Sequence, residues 1–373
     1  MKVRIKKSIL LEALQLVVSI SPKATTQQVT NNVLIEASES KVIFKATNFE
    51  LTFLGEFEAN VEEAGSICIH TSKLYNLARN FQSEEVSFES NQQNWVFITS
   101  GNTEVKLPGM DPEAFPPIEF SNLAQNFSIA AAEFKTNIDR IFFAIGENES
   151  RRNLMGFNLE VINPREISCK GADAFRISYN KITFEEDIAA VGSIIIPKKS
   201  LSEVKKIIDK VQEPIQIFFD ENTFQLETGS VKFKTRLIEA DYPNLSTILD
   251  TVGPNQIDLP KGELLRAVRI LNTLTDDDPN AVVKLTLKPD HVVIESQKLE
   301  MGEGMDVIYT NYEGEELSIG LNIQFLLDGI QAFDSCPDEM VTFHISGAIQ
   351  PLFLVSKSWP EYKTVLMPVK IKW

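Results

Sequence analysis

Few residues in this 373-residue sequence have the types and spacing that catalysis requires. The carboxylates Asp276, Asp277 and Asp278 could hold a cation or exchange protons, but no histidine or basic partner accompanies them, and Pro279 marks a surface loop. No Walker phosphate loop, no G-x-S-x-G elbow and no H-E-x-x-H zinc motif occurs. We therefore expect a protein that is not an enzyme and has no cofactor.

Metal and disulfide chemistry are equally weakly supported. The cysteines form no C-x-x-C pair, and the histidines lie in strand-like segments without a cluster of neighbouring ligands. A sparse, odd number of cysteines is typical of a reducing cytoplasm, where buried cysteines behave as small apolar residues. The residues concerned are Cys68, Cys169, Cys336, His70, His291 and His344.

The remaining chemistry is electrostatic. A net charge of −16 argues against nucleic-acid binding only if the charge is evenly spread. Six predicted helical windows carry a net charge of +6, whereas the rest of the chain carries −22. In the fourth window the apolar residues occupy one arc and the lysines the opposite side. The windows are residues 6–19, 72–82, 131–145, 197–211, 260–274 and 322–335.

Basic faces of this kind have two interpretations. A charged helix face is usually just a solvated face. Segregation of positive charge onto several helices of an acidic chain favours a basic surface that binds phosphates without reading sequence.

The helices recur at intervals of about 60–67 residues, which indicates an internal repeat. An aromatic–proline step follows every second helix, at Phe115–Pro116, Tyr242–Pro243 and Trp359–Pro360, so the full repeat contains two helices. Residues 33–53 also resemble residues 157–179. Residues 215–237 predict three strands joined by turns. We expect an α+β fold of three similar domains, 1–125, 126–252 and 253–373, each with two helices packed on antiparallel sheets.

The N-terminal segment begins basic and becomes apolar, as a signal peptide does. Glu12 and Gln15 interrupt its apolar positions at helical spacing, and no small-residue cleavage site follows. This pattern predicts an amphipathic helix of the mature protein. No segment approaches the roughly 20 apolar residues that a membrane helix needs, so we expect a cytoplasmic protein without membrane contact.

Several segments, in their order and spacing, resemble the bacterial DNA polymerase III beta subunit family, the sliding clamps. They are MKVRIKKSILLEAL, GADAFRI, DYPNL, GLNIQFLLDGI and the final LMP. The resemblance covers the whole chain. It implies a homodimeric ring of six domains that slides on duplex DNA, with polymerase and clamp-loader subunits docked through short linear motifs. Twelve helices about 9 Å apart would enclose a bore on the order of 24 Å, wide enough for a duplex.

The resemblance also implies three sets of functional residues. A peptide pocket would use Leu154, Ala172, Ala174, Phe175, Arg176, Ile177, Pro243, Ile248, Asn322, Phe325, Val365, Leu366, Met367 and Pro368. The resemblance and the basic helix faces together predict a set of residues that face DNA. They are Lys23, Lys73, Arg79, Lys135, Arg140, Arg151, Arg152, Lys198, Lys199, Lys205, Lys206, Arg266 and Arg269. At the dimer seam Val105 and Leu107 of one subunit would meet Ile270 and Leu271 of the other.

The sequence also departs from the family pattern. Ala174 and Phe175 stand where the family often has glycine and histidine, which would alter peptide preference. Ala24 stands at an expected basic position, and Arg151 and Arg152 stand where aromatic residues are frequent. Lys372 and Trp373 extend past the usual end and could cover part of the pocket. A second hypothesis, a repeat-built interaction scaffold that does not encircle DNA, remains open at this point.

Overall fold

The computed structural model describes residues 1–21, 28–121, 123–251, 253–275, 278–298 and 302–371. Lys23, Ala24, Asp276, Asp277 and the pair Lys372 and Trp373 lie outside the described residues.

The first third of the chain has two helices among nine strands. In chain order they are β1 (Lys2–Lys6), α1 (Lys7–Val17), β2 (Asn32–Ser38), β3 (Lys41–Thr47), β4 (Leu51–Glu58), β5 (Asn60–Glu63), β6 (Gly65–His70), α2 (Thr71–Asn80), β7 (Glu85–Ser90), β8 (Trp95–Ser100) and β9 (Thr103–Pro108).

The middle third repeats this order, with a strand leading into each long helix. Its elements are β10 (Gln125–Ala130), α3 (Ala131–Phe142), β11 (Gly156–Asn163), β12 (Glu166–Ala172), β13 (Arg176–Thr183), β14 (Gly192–Pro197), α4 (Lys198–Ile208), β15 (Pro214–Phe219), β16 (Thr223–Glu227), β17 (Val231–Arg236) and the short α5 (Ser246–Leu249).

The last third repeats it again. Its elements are β18 (Asn255–Pro260), α6 (Lys261–Asn272), β19 (Val282–Lys288), β20 (His291–Lys298), β21 (Gly302–Tyr309), β22 (Leu317–Asn322), α7 (Ile323–Gln331), β23 (Met340–Ile345), β24 (Leu352–Val355) and β25 (Lys363–Leu366). The α+β fold with two long helices per repeat is confirmed. Five of the six long helices lie within their predicted windows and α2 begins one residue before its window; each ends a few residues early.

Contacts divide the chain into two compact units. The first comprises residues 1–135, 188–190 and 199–237, and the second residues 136–187, 191–198 and 238–373. The first contains a five-stranded sheet, β5-β1-β7-β8-β9, and an eight-stranded sheet, β10-β15-β16-β17-β4-β3-β2-β6. The second contains an eight-stranded sheet, β14-β11-β12-β13-β25-β24-β23-β18, and a four-stranded sheet, β21-β20-β19-β22.

Each eight-stranded sheet combines strands from two successive repeats. In the first unit β17 pairs antiparallel with β4, so that Thr235 lies opposite Leu51. In the second unit β25 pairs antiparallel with β13, so that Leu366 lies opposite Arg176. The backbone hydrogen-bond ladder therefore runs without a break from one repeat into the next in both sheets.

Helical periodicity explains which side chains form the cores. On α6 the buried residues are Leu264, Ala267, Val268 and Leu271, a stripe at spacings of three and four that faces the sheet. Each large apolar side chain buried in this way contributes about 1.5–3 kcal/mol. The same rule separates the faces of α4, where Leu201 and its apolar neighbours are buried while the lysines stay at or near the surface.

One buried charge on α4 breaks this separation. Glu203 is only 4% exposed. Its carboxylate accepts hydrogen bonds from the Ser19 hydroxyl at 2.6 Å and from Lys206 Nζ at 3.0 Å. The buried carboxylate is thus paired and hydrogen-bonded, which offsets its desolvation.

The loop after α7 is organised by Asp338. Its carboxylate accepts hydrogen bonds from the hydroxyls of Ser356 and Ser358 and from the Ser358 backbone N–H at 2.8 Å. These donors favour the ionised form and lower the pKa of Asp338 to about 2.

The three cysteines are buried, as predicted. Burial raises the pKa of the Cys68 thiol to about 12, which makes it unreactive. Across the described part of the chain, no helix combines the length and apolarity needed to cross a membrane.

Candidate functional site

A cavity of about 460 Å³ opens on the second unit. Its walls come from the segment after α3, the turn between β12 and β13, and the first turn of α7. The lining residues are Ile145, Gly146, Glu147, Asn148, Arg151, Leu154, Asp173, Ala174, Phe175, Arg176 and Phe325.

The turn between β12 and β13 is fixed by Asp173. Its Oδ1 accepts hydrogen bonds from the backbone N–H groups of Phe175 at 2.7 Å and Arg176 at 2.9 Å, an Asx turn. The turn leaves Phe175 53% exposed, which is unusual for so large an apolar side chain. An exposed ring on a rigid turn can contact a ligand with little loss of conformational entropy.

Arg176 is held from three sides. Its guanidinium donates to Asp173 at 3.0 Å and to Asp328 at 2.7 Å. It also lies 4.2 Å from the centroid of the Phe325 ring, within cation–π range. Arg176 therefore orients both the turn and α7 at the edge of the cavity.

The first turn of α7 positions Phe325. Asn322 caps the helix, since its Oδ1 accepts a hydrogen bond from the Phe325 backbone N–H at 3.0 Å. The ring of Phe325 stacks on that of Phe175, with centroids 6.2 Å apart and an interplanar angle of 29°. Two aromatic rings and one arginine thus form one wall of the cavity.

An apolar cluster lies beside this wall. Its buried members include Leu154, Ala172, Ile177 and Val365, and Ile248 packs against them partly exposed. Pro243, Met367 and Pro368 are also partly exposed. The Met367 backbone N–H donates to the Phe175 carbonyl at 2.8 Å, which brings the end of the chain to the turn.

The structure therefore brings most of the predicted pocket residues together, but not all of them present a surface. Val365 and Leu366 are 0% and 1% exposed, and Ala172 is 1% exposed. These three support the pocket from beneath and cannot touch a ligand without rearrangement. Ala174 and Phe175, which are exposed, and Arg176 and Phe325, which are partly exposed, supply accessible surface.

Sequence reasoning missed some residues of this site. Tyr242, Leu245, Leu249 and Phe353 belong to the same apolar cluster, and burial raises the pKa of the Tyr242 hydroxyl. The Tyr242–Pro243 step marked the repeat in the sequence and could have pointed to Tyr242. No sequence signal distinguished the other three from ordinary core residues.

Arg151, predicted to face DNA, also lines the cavity beside Phe175 and Phe325. It lies in the short 3-10 segment Glu149–Leu154, at a kink with φ −123° and ψ 59°. Its neighbour Arg152 is exposed as well.

Most of the other basic residues that were expected to face DNA are exposed. They are Lys73 and Arg79 on α2, Arg152 in the 3-10 segment Glu149–Leu154, Lys199 and Lys206 on α4, and Arg266 and Arg269 on α6. Two of them are already engaged by acids, since Arg266 lies 3.3 Å from Asp306 and Lys206 binds Glu203.

Four of the predicted DNA-facing residues are only partly exposed. Lys135 pairs with Asp209, and Lys198 pairs with Glu147 at 2.8 Å. The Arg140 guanidinium lies 3.6 Å from the centroid of the Trp359 ring, so its charge is directed into an aromatic cluster. The fourth, Lys205, lies on α4.

The predicted seam residues differ in exposure. Val105 and Leu107 are partly exposed on β9, which is the edge strand of its sheet, as expected. Ile270 is 50% exposed. Leu271, however, is 2% exposed in the core of its own domain, so its assignment to a contact surface is corrected. The seven-residue spacing from Leu264 explains this, since it places Leu271 on the buried stripe of α6.

Groups of histidine, cysteine and carboxylate side chains able to hold a metal ion are absent from the described residues. The chemistry that these surfaces offer is binding: an apolar, aromatic cavity on one unit, and lysine and arginine side chains on helix faces.

Comparison with known proteins gives a consistent result along the chain. The family model of the DNA polymerase III beta subunit N-terminal domain matches residues 1–119, that of the central domain residues 128–244, and that of the C-terminal domain residues 248–370.

Individual relatives agree. The beta sliding clamp of Staphylococcus aureus (strain Mu50 / ATCC 700699) is 27% identical over 361 residues, 94% of each chain. The crystal structure of the Bacillus subtilis DNA polymerase sliding clamp is 25% identical and covers 100% of this chain and 99% of its own, with a TM-score of 0.92. The sliding clamp of Bartonella birtlesii bound to griselimycin is 24% identical, covers 100% of both chains and has a TM-score of 0.93. Because three domain models of one family match in order through the whole chain, this protein belongs to the DNA polymerase III beta subunit family, the bacterial DNA sliding clamps.

Proposed function

We propose that two copies of this chain close head to tail into a ring that encircles duplex DNA and tethers the replicative polymerase to it. The observation that carries the proposal is the succession of three clamp domains along the chain. Each domain contributes two long helices, and together these helices carry net positive charge in an otherwise acidic chain. Domain boundaries near residues 125 and 252 fit this succession. Six domains are needed to surround a duplex, and one chain supplies three.

The exposed basic side chains support a non-specific DNA contact. Lys73, Arg79, Lys199, Arg266 and Arg269 are exposed on helices of all three repeats. In the ring they would face the bore and contact phosphates through water or directly. The acidic remainder of the chain would repel DNA from the outside. Such contacts carry no sequence information and weaken as salt concentration rises.

The seam of the ring would join two edge strands. In the first unit β9 is an edge strand, and in the second unit β21 is an edge strand with Met305 66% and Tyr309 77% exposed. Exposed apolar edges of this kind are prone to pair with another chain. Pairing of β9 with the partner's β21 would continue the sheet across the seam and bring Val105 and Leu107 near Ile270. A head-to-tail contact repeated twice closes a dimer.

The cavity beside Phe175 and Phe325 would receive the linear motifs of polymerase and clamp-loader subunits. Its rings and the neighbouring apolar cluster suit leucine and phenylalanine anchors, while Arg176 and backbone groups would fix the orientation of the peptide. The replacement of the family's frequent histidine by Phe175 makes this wall more apolar. We therefore expect stronger preference for aromatic anchors.

In this proposal the chain has no catalytic role. ATP hydrolysis during ring loading comes from the partner that opens the ring. A cytoplasmic location follows from the proposed DNA and polymerase partners.

Retention on DNA tests the topological claim directly. The labelled protein is loaded by a bacterial clamp loader and ATP onto nicked circular DNA, and the complex is separated by gel filtration at high salt. Retention is expected on circles and loss is expected after a single restriction cut, because a ring slides off an end. Equal retention on circular and linear DNA would instead support a scaffold that binds without encircling.

A further inference from the structure

A second cavity, of about 270 Å³, lies on the first unit. It is lined by the turn between β3 and β4, the segment after Phe115, and one end of β16 and β17. The lining residues are Thr47, Phe49, Glu50, Thr52, Pro116, Pro117, Ile118, Thr223, Lys234, Thr235 and Arg236. The proposed function uses none of them.

The turn that forms this cavity matches the turn of the peptide pocket hydrogen bond for hydrogen bond. Asn48 Oδ1 accepts from the N–H groups of Glu50 at 3.1 Å and Leu51 at 2.7 Å, as Asp173 does two and three residues ahead of itself. Asn48 therefore corresponds to Asp173, and Glu50 corresponds to Phe175.

In both cavities, a backbone N–H from the following repeat donates a hydrogen bond to the turn. The Arg236 N–H donates to the Glu50 carbonyl at 3.0 Å, just as the Met367 N–H donates to the Phe175 carbonyl at 2.8 Å. Pro116 follows Phe115 as Pro243 follows Tyr242. The side-chain hydrogen bonds of the turn, the backbone hydrogen bond to it and the aromatic–proline step therefore all match between the two cavities. The second cavity occupies the position in the first unit that the peptide pocket occupies in the second.

The chemistry of the second cavity differs from that of the first. Phe49 is 56% exposed, with φ at +70°, a left-handed conformation that is an outlier for a bulky side chain. Its N–H donates to the Thr47 hydroxyl at 3.1 Å, which helps to hold the turn. The ring is therefore presented at the surface beside the proline-rich segment.

Two cations, Lys234 and Arg236, line the same cavity as this ring. Lys234 Nζ donates to the Glu119 carbonyl and lies 5.5 Å from the Phe120 ring centroid. Arg236 is exposed, and among the described residues its side chain makes no ion pair. With Glu50 as the one acidic group in the lining, the cavity has an excess of positive charge.

The geometry points to a second peptide-docking site on each chain, at this cavity, for an extended segment that carries an apolar side chain next to acidic ones. The apolar side chain would pack on Phe49 and Ile118, and a carboxylate would accept hydrogen bonds from Arg236. The site goes beyond the proposed function, because its ligand need not share the motif that fits the aromatic pocket.

The test uses two fluorescein-labelled hexapeptides, Ser-Leu-Phe-Glu-Asp-Ser and its neutral counterpart Ser-Leu-Phe-Gln-Asn-Ser, with both ends blocked. Their binding is measured by fluorescence anisotropy to full-length protein carrying Phe325→Ala, which disables the first pocket. The acidic peptide is expected to bind about tenfold more tightly than the neutral one, and more weakly as NaCl concentration rises. Adding Arg236→Gln should weaken the acidic peptide about tenfold, to the level of the neutral one.

The matched control is Lys232→Gln, which removes a cation from the same strand. Lys232 is already paired with Glu227 at 3.1 Å and does not line the cavity, so the acidic peptide should bind this variant within twofold of its parent. Phe49→Ser provides a second variant that tests the apolar contact, and thermal unfolding verifies that each variant is folded. The proposal is overturned if the acidic peptide fails to bind the Phe325→Ala protein, or binds equally well after Arg236→Gln.

Failure of this proposal is separable from failure of the proposed function. A peptide ending in Leu-Phe reports on the first pocket through its response to Phe325→Ala in the otherwise native chain. That response does not depend on Arg236.

Discussion

Replacing Phe325 with alanine should weaken binding of a Leu-Phe peptide by about ten- to a hundredfold. The substitution removes the ring that stacks on Phe175 and lies 4.2 Å from the Arg176 guanidinium. Without its partner ring, Phe175 must be ordered by the peptide, which costs about 0.5–1.5 kcal/mol, and loss of the contact between the Phe325 ring and the peptide adds about 1–1.5 kcal/mol. The combined loss of roughly 1.5–3 kcal/mol converts to the stated change in Kd.

The assay is fluorescence anisotropy of the labelled peptide, with the oligomeric state followed by sedimentation velocity. Phe325 is partly exposed, so the fold should lose only about 1 kcal/mol and the dimer should persist. Gln331→Ala, at the opposite end of α7, is the matched control and should change the Kd less than twofold. An unchanged Kd in the Phe325→Ala protein would refute the assignment of this cavity as the peptide site.

Three further outcomes are expected. Ile270→Asp places a charge on an exposed apolar residue at the proposed seam and should yield folded monomers in sedimentation velocity; a persistent dimer would contradict the seam. Asp338→Asn should lower the melting temperature at neutral pH, and the difference from the parent should shrink as pH falls through about 4 towards 2, because the lowered pKa of Asp338 stabilises the fold only while the group is ionised. A difference in melting temperature that does not change with pH would contradict the role of the carboxylate. Gly320→Ala would put a Cβ 2.6 Å from the Val369 carbonyl oxygen, so it should displace the C-terminal segment, seen as faster amide exchange at Val369; unchanged exchange would show that the backbone yields elsewhere.

Local periodicity was sufficient to predict the helices and many of the strands. The apolar stripe of α4 and the three strands β15, β16 and β17 are set by neighbours close in sequence, and the structure confirms them. The same rule would have placed Leu271 on the buried side of α6. Its assignment to the seam came from the family resemblance alone, and the burial of the side chain corrects it.

Interactions between distant segments could not be predicted in this way. The position of Arg140 over Trp359 depends on two segments far apart in sequence, and so does the pairing of Arg176 with Asp328. The sequence likewise could not show that a kink in a short 3-10 segment places Arg151 in the cavity wall. The second cavity also depends on segments far apart in sequence, since the turn between β3 and β4 meets the segment after Phe115 and the ends of β16 and β17.

The sharing of strands between repeats also limits how the chain can be divided. Removal of everything after residue 245 would leave β13 without its neighbour β25, and a row of unpaired backbone groups would face water in the middle of what had been a continuous sheet. The severed fragment would be prone to aggregate through that newly bared strand. A single repeat is therefore a poor choice for expression by itself, and the chain is best produced whole.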